Sequence, residues 1–406
     1  MKRLLYVLPP RFFFNSWVLK IFLIVVGLSF IFCCVSAASA SGDDPAVSPE
    51  EALGELNLER VESEAARLTG TLRSLVPEVS FRSLVNDLLR GKVDLTPTAL
   101  LGMLGRYFWG EVWGGGVLLG KILVLGVILA VLQQLSAAFE RTATSKMAFY
   151  VCYLTLGAMV VTVLGLALRT GKEAVEGMVS FVQALLPVLL TLLAATGGFT
   201  TAAVMHPAVL GSLAVIGTLI KNMVLPLIAF GVLLGFADRL SDGLQVSRLA
   251  GLLRNTGLAL LGVVSTAFVG VLTVQGVAGA VTSGVALRTA RYATGAFVPV
   301  VGGMLADAFE AVVGTSLLVK SAVGIAGIVI IFFAVAFPAV KLFAMSFIFK
   351  LSSAIIQPLE GQMAASLDDV GTGLLGVFAV VVIAGLLCFF AVAVVVGLGF
   401  LTTMLR

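Results

Sequence analysis

The amino-acid sequence predicts an all-α fold, a polytopic membrane helix bundle of about seven or eight membrane segments, some of them broken or re-entrant. Hydrophobic residues make up 59% of the 406 residues, charged residues make up 12%, and the mean hydropathy is +1.11. Soluble domains average about 45–50% apolar and about 25% charged residues. From Gly115 to Leu405, charges occur only at a few points between long apolar runs. The lipid bilayer is therefore the first partner that the sequence predicts, and a net charge of +4 spread along the chain does not indicate nucleic acid.

The first forty residues resemble a secretory signal peptide. A basic start with Lys2 and Arg3 precedes an apolar stretch at 21–35, and the small residues Ala38 and Ala40 form the pattern that signal peptidase cleaves. We expect cleavage after Ala40, with an uncleaved signal anchor as the alternative.

Residues 41–115 predict a small water-facing module, strongly acidic at its beginning. Apolar residues between 61 and 79 recur every three or four positions, which predicts a helix that Pro77 should end. The same pattern returns at 81–89, and Thr96-Pro97 predicts the N-cap and first residue of a third helix. Three amphipathic helices of this length predict a module that leans on the membrane or on a partner.

Residues 116–406 predict the polytopic membrane domain. Runs of about twenty apolar residues match the thickness of the hydrocarbon core, and the backbone inside lipid must then be helical. The runs lie near 117–138, 147–168, 178–196, 207–237, 256–282, 317–340 and 371–403, with a weaker one near 296–315. The run at 207–237 is too long for one ordinary span and contains Pro226, so it predicts a broken helix or two short ones.

Orientation follows from basic residues only at the start of this domain. If the signal is translocated, the module at 41–115 is extracytoplasmic, and Arg141 and Lys146 fall inside, as the positive-inside rule requires. Later connectors conflict, because the stretch 238–255 and the pair Arg288 and Arg291 both favour the cytoplasm.

An internal repeat relating 178–282 to 290–403 is one interpretation of the proline spacing. Pro187 and Pro299 are 112 residues apart (299 − 187), as are Pro226 and Pro338 (338 − 226). Gln245 and Gln357 keep the same spacing. Because prolines are few, chance agreement is the alternative; a true repeat would be similar to the duplicated architecture of transporters and channels.

Five charged residues lie inside apolar context, namely Lys221, Asp307, Glu310, Lys320 and Lys341. Charge is costly in hydrocarbon, so such residues line a bundle interior or a water-filled path, or they snorkel from span ends to the interface. The residues predicted to serve a passage or a packing contact are Lys221, Arg288, Arg291, Asp307, Glu310, Lys320, Pro187, Pro226, Pro299, Pro338, Gln275 and Gln357.

The sequence offers no constellation that predicts catalysis, a cofactor or a metal site. His206 is the single histidine, and Cys152 and Cys388 each lie inside an apolar run. The acidic pair Asp368-Asp369 is interpreted as part of a solvated connector. We therefore expect a protein that is not an enzyme.

Several motifs, in order between about 180 and 360, resemble the stage III sporulation protein AE family. They include Val274-Gln275-Gly276, the stretch 283–290, Phe297-Val298-Pro299, Val323-Gly324-Ile325 and Gln357-Pro358-Leu359. The N-terminal 110 residues carry no motif of the family that we recognise.

The resemblance implies a polytopic protein of endospore-forming bacteria, made in the mother cell and placed in the membrane around the forespore. There it would act with other membrane and envelope proteins in a channel-like, secretion-like assembly that is needed for late forespore gene expression. The N-terminal module would face the space between the two membranes. Assembly as a homo-oligomer is a further possibility. The alternative function is a stand-alone secondary transporter of a small solute, which the repeat and the embedded charges would suit.

Overall fold

The computed structural model describes residues 58–68, 70, 80–90, 97–138, 143–239, 246–297 and 302–404, and within them the chain forms ten α-helices and no strand. The all-α prediction is confirmed. In chain order the helices are α1 (Glu59–Leu68), α2 (Phe81–Leu89), α3 (Pro97–Gly114), α4 (Gly116–Ala138), α5 (Ala143–Ala195), α6 (Phe199–Leu219), α7 (Leu225–Asp238), α8 (Ser247–Phe297), α9 (Gly302–Ile356) and α10 (Gly361–Met404). The predicted signal peptide, including its cleavage site, lies outside the described residues.

Five helical segments of the described chain are long and apolar enough to cross a membrane. They are Tyr150–Ala195, Phe199–Asp238, Ser247–Val285, Val313–Ile356 and Gly361–Leu398. The pair α3 and α4, bent by 42° at Gly115, is a sixth if it forms one broken span.

The expected count of seven or eight segments is therefore not confirmed. The runs at 147–168 and 178–196 belong to the single helix α5, because the charged stretch between them stays helical. Arg169 and Glu173 form an ion pair one turn apart there, which suits a helix surface. The weak run near 296–315 is likewise not separate from the next one, since α9 continues from Gly302 to Ile356.

The long run at 207–237 lies within one continuous helical segment, Phe199–Asp238, so the prediction of a broken helix or of two short ones is wrong. A single π-helical turn at Ile220–Val224 joins α6 to α7, and Pro226 follows in the first turn of α7. Proline has no backbone N–H and its ring clashes with the carbonyl four residues earlier, which a local widening of the helix accommodates. By contrast, α5 and α9 continue through Pro187 and Pro338.

The centre of the bundle is the antiparallel pair α9 and α10, packed through glycines. An added Cβ at Gly324 would lie 2.3 Å from Val396, and one at Gly385 would lie 2.1 Å from Val335. Helix α5 closes one side, where Leu185 would meet a Cβ at Gly327. Side chains larger than hydrogen would therefore separate these helices.

The N-terminal module packs on this bundle rather than standing apart from it. Phe81 of α2 contacts Phe181 of α5 edge to face at 6.4 Å, and Leu68 of α1 lies against Gly177 of α5. Leu84 and Leu88 of α2 cover an apolar patch of α9. The N-terminal module therefore packs against the membrane domain of the same chain.

Helices α2 and α3 lie where the apolar pattern at 81–89 and the pair Thr96-Pro97 predict them. Ser80 and Ser83 form a reciprocal capping box at the start of α2, and α3 begins at Pro97. Helix α1 ends at Leu68, and Gly70 lies in a turn, so the helix stops before Pro77.

The internal repeat stays a prediction. Its first half contains the turn at 196–198 between α5 and α6, whereas the equivalent positions of the second half lie inside α9.

Candidate functional site: three polar levels along the bundle

The polar side chains described for the bundle gather at three levels along the helices. A basal cluster lies near the start of α10, a middle belt lies near the π-helical turn, and a distal group lies near the end of α10. The basal and distal levels are separated by about 27 residues of α10 (Asp369 to Val396), or about 40 Å of helix.

The basal cluster consists of two ion pairs, each joining α10 to another helix. Nε of Arg239 donates to Oδ2 of Asp369 at 3.1 Å, and its Nη2 donates to the same oxygen. Nζ of Lys350 donates to Oδ1 of Asp368 at 2.9 Å and to Oγ1 of Thr372 at 3.1 Å. The interpretation of Asp368-Asp369 as a solvated connector is therefore wrong, because both carboxylates fasten α7 and α9 to α10.

Tyr153 extends this cluster to α5. Its hydroxyl lies 2.6 Å from Oγ of Ser366, and its ring stacks on Phe236 with the centroids 4.7 Å apart. Tyr153 is fully buried, so this contact joins α5, α7 and α10 inside the protein. A buried hydroxyl with a partner is stabilising, whereas the same group left without one would cost about 1–3 kcal/mol.

Acidic side chains also cap two helices at the basal end. Oδ1 of Asp238 accepts from the backbone N–H of Val246 and of Ser247, the latter at 2.9 Å, at the start of α8. Glu360 accepts from the N–H of Gln362 at 3.2 Å and from that of Met363, at the start of α10. Carboxylates satisfy the free N–H groups there and interact favourably with the helix dipole.

The middle belt consists of Arg169, Glu173, Glu176 and Lys221. Nζ of Lys221, on the π-helical turn, lies 3.0 Å from Oε1 of Glu176 on α5. Arg169 and Glu173 pair at 2.8 Å on the same helix. The pair Arg169–Glu173 is exposed, whereas Lys221 is half-buried beside the exposed Glu176, so Lys221 is the partner of an ion pair that joins α5 to the π-helical turn.

The distal group contains the two buried side-chain polar atoms that, across the described residues, have no hydrogen-bond partner: Nζ of Lys320 and Oε1 of Gln275. Lys320 is only 1% exposed and lies one turn before Gly324, which faces Val396 of α10. Gln275 precedes Gly276, whose Cβ position faces Val394 and Leu398. The two residues thus lie on turns of α9 and α8 at the level of the end of α10.

A buried hydroxyl pair lies at the same level. Oγ of Ser283 on α8 accepts from the N–H of Thr201 at 3.0 Å and lies 2.8 Å from its Oγ1. Gly279, one turn earlier on α8, allows close contact with Thr201. This pair ties α8 to the start of α6, and it was not among the residues that the sequence singled out. Because Thr201 and Ser283 are 82 positions apart, no local sequence pattern predicts that their side chains meet.

The remaining predicted site residues are spread along the chain. Pro187 is exposed on α5, Pro338 is half-buried on α9, and Gln357 is exposed in the turn between α9 and α10. At Arg288, Arg291, Asp307 and Glu310 the structure describes the helical backbone but not the side chains, and Pro299 lies outside the described residues. Among the described residues, no group of three or more His, Cys, Asp or Glu side chains could hold a metal ion.

Sequence comparison extends the resemblance to the whole bundle. The family model for stage III sporulation protein AE matches residues 79–399, which run from α2 to the last turns of α10. Stage III sporulation protein AE of Bacillus subtilis (strain 168) is 37% identical over 333 residues, covering 82% of this chain and 83% of that protein. No solved structure matches. The chain therefore belongs to the stage III sporulation protein AE family.

Proposed function

We propose that this protein is a multi-pass membrane component of a channel-like, transenvelope complex between the mother cell and the forespore, needed for late forespore gene expression. The observation that carries the proposal is the extent of the family match, which covers every described helix after α1. Family membership gives the chain a role in sporulation, and five or six apolar helices give it a place in a membrane.

The packing supports a role as one subunit of an assembly. Along α5, α9 and α10, the centre of the described bundle is filled by apolar side chains such as Leu185, Val323 and Val377, each fully buried. Helix α8, in contrast, presents a row of exposed valines: Val263, Val271, Val274, Val277, Val281 and Val285. A path for solutes would then run between this chain and its neighbours rather than through its packed centre.

We place the protein in the mother-cell membrane around the forespore, after removal of a signal peptide at residues 1–40. The module at 41–115 faces the space between the membranes, where it is available to partner proteins of the same complex. No catalysis, cofactor or metal forms part of the proposal.

The test is made in an endospore-forming host that carries a tagged copy of this chain. Deletion of the gene should arrest development after engulfment, and the tagged protein should co-purify with several other envelope proteins. Isolation of the chain alone, with transport of a solute by the purified protein in liposomes, would overturn the proposal and favour a stand-alone secondary transporter. The unpaired polar atoms of Lys320 and Gln275 are the observation that favours that second function.

A second experiment concerns the embedded acids of α9. The double variant Asp307→Asn with Glu310→Gln should reduce the yield of heat-resistant spores while the amount of protein in the membrane stays unchanged, if the two carboxylates act on a path. Full spore yield in this variant would mean that neither carboxylate acts on a path.

A further inference from the structure

The membrane-crossing helices are far longer than a bilayer is thick. The shortest of the five candidate spans has 38 residues and the longest has 46, which correspond to about 57 and about 69 Å of helix. Even at a tilt of about 40°, the upper end of the usual range, they project about 44 to about 53 Å along the membrane normal. The hydrocarbon core is about 30 Å thick, so a large part of the bundle lies outside it.

Two of the polar levels are separated by nearly one bilayer thickness. Along α7 and the π-helical turn before it, 18 residues separate Lys221 of the middle belt from Arg239 of the basal cluster (239 − 221), which is about 27 Å. On α5, 16 residues separate Tyr153 from Arg169 (169 − 153), which is about 24 Å. Two independent helices thus place the middle belt and the basal cluster where the two edges of a hydrocarbon core would lie.

The part of the bundle between these levels, here called the basal half, presents apolar side chains outward. It comprises 150–168 of α5, 225–238 of α7, 247–262 of α8, 341–356 of α9 and 361–382 of α10. Its exposed side chains include Val151, Leu154, Val161, Leu166, Phe230 and Leu252.

The part beyond the middle belt, here called the distal half, carries the N-terminal module on one side. It comprises 177–195 of α5, 199–219 of α6, 264–285 of α8, 313–337 of α9 and 385–398 of α10. Helices α1 and α2 lie against its α5 and α9 surfaces and expose Arg60, Arg67, Arg82 and Asp87. In hydrocarbon each such charge would cost about 2.5–3.5 kcal/mol. The side of the distal half that carries α1 and α2 therefore does not fit in a bilayer, whereas its face on α6 and α8 exposes apolar side chains such as Val204 and Val277.

We propose that the lipid bilayer surrounds only the basal half of this bundle, and that the distal half, with α1 and α2 packed on it, projects out of the membrane on the extracytoplasmic side. The inference rests on membrane insertion and not on membership of a complex.

Basic residues give the sidedness. Near the basal end the described chain carries five basic residues, Lys146, Arg239, Arg248, Arg254 and Lys350, against four near the middle belt, Arg169, Lys172, Lys221 and Lys341. The positive-inside rule thus favours the basal end as the cytoplasmic one. It also removes the conflict over Arg288 and Arg291, since Arg288 lies 34 residues along α8 from Arg254 (288 − 254), or about 50 Å. The rule counts only residues near the membrane.

Two half-buried basic residues of the basal half fit this placement. Side chains on a helix lean toward its N-terminus. Arg254 on α8 therefore leans toward the basal surface, and Lys341 on α9 leans toward the middle belt. The guanidinium group of Arg254 and the ammonium group of Lys341 can each reach the nearer membrane interface by snorkelling.

The test compares two equally exposed valines in the full-length chain. Val161 of the basal half and Val277 of the distal half are each 56% exposed. In a background without native cysteines, Val161→Cys and Val277→Cys are labelled with a small fluorophore, and the protein is placed in liposomes containing lipids with a nitroxide on the acyl chain. We expect the fluorescence at position 161 to be quenched several-fold more strongly than at position 277.

A matched second pair keeps the test decisive if one variant fails to fold. Leu166→Cys and Val204→Cys replace side chains that are 46% and 44% exposed, in the basal and distal halves respectively. Equal quenching within a pair, or stronger quenching at the distal position, would overturn the proposal. Because the readout needs only purified protein and lipid, its failure is distinct from a failure to find partners during sporulation.

Discussion

Helices α9 and α8 have nearly the same hydropathy and opposite surroundings. Over an 18-residue apolar window, α9 has a mean hydropathy of 2.7 and 83% of the window is buried inside the protein, whereas the window in α8 has 2.2 and 22% of it is buried. The hydropathy indicates that both segments are removed from water. It does not report whether a segment is surrounded by its own chain or by something else.

The closest glycine contacts differ between the two helices: among the described residues, an added Cβ on α8 comes no nearer than 3.1 Å to a neighbour, at Gly279. On α9 and α10, Gly324 and Gly385 each face a valine of the other helix within 2.3 Å of an added Cβ. On α8, Gly262 and Gly270 have nothing within 4 Å of theirs. Small residues let helix backbones approach closely in membranes, so the glycines of α9 and α10 mark a protein contact.

A large side chain at Gly385 should have the greatest effect, because Val335 already occupies the space. We expect Gly385→Leu to lower the free energy of unfolding by about 3 kcal/mol or more. Thermal unfolding in detergent, followed by loss of monodisperse protein, measures the change. The control is Gly262→Leu on α8, which should leave the unfolding temperature unchanged or slightly higher; equal destabilisation by both variants would contradict the contrast between the helices.

Removal of the buried amine of Lys320 should act in the opposite direction. Nζ of Lys320 has no hydrogen-bond partner among the described residues, and an unsatisfied buried polar group costs about 1–3 kcal/mol. Lys320→Met keeps the length of the side chain, so we expect a more stable protein together with fewer heat-resistant spores. The half-buried Lys341→Met on the same helix should change stability less. If Lys320→Met supports normal sporulation, the amine serves no function at this site.

Local chemistry made part of this fold predictable. The position of α2 follows from the apolar pattern at 81–89, and the start of α3 follows from Thr96-Pro97, because both signals come from residues within a few positions. The apolar runs predicted the positions of α8, α9 and α10, because lipid imposes helical structure on any spanning backbone.

Contacts between distant parts of the chain set the rest. The charged stretch around Arg169 resembles a connector, yet packing against α7 and α10 at Gly171 keeps it helical. Asp369 finds Arg239, which is 130 positions away, and no spacing in the sequence indicates that pair. Lys320 was singled out by its apolar neighbours, but only the three-dimensional packing shows that it is fully enclosed.

Two ion pairs show a smaller difference between enclosed and outward-facing parts of the bundle. Arg239 and Asp369 are about one-third exposed and join two helices, whereas Arg169 and Glu173 are exposed and share one helix. A double-mutant cycle with Arg239→Ala and Asp369→Ala should give a coupling free energy of about 1 kcal/mol, against about 0.3 kcal/mol for Arg169→Ala and Glu173→Ala. Unfolding in detergent at low and at high salt measures both cycles, and salt should weaken the exposed pair more. Equal coupling in the two cycles would mean that Arg239 and Asp369 face solvent as freely as the surface of α5 does, and the basal cluster would then lose its role in holding α7 against α10.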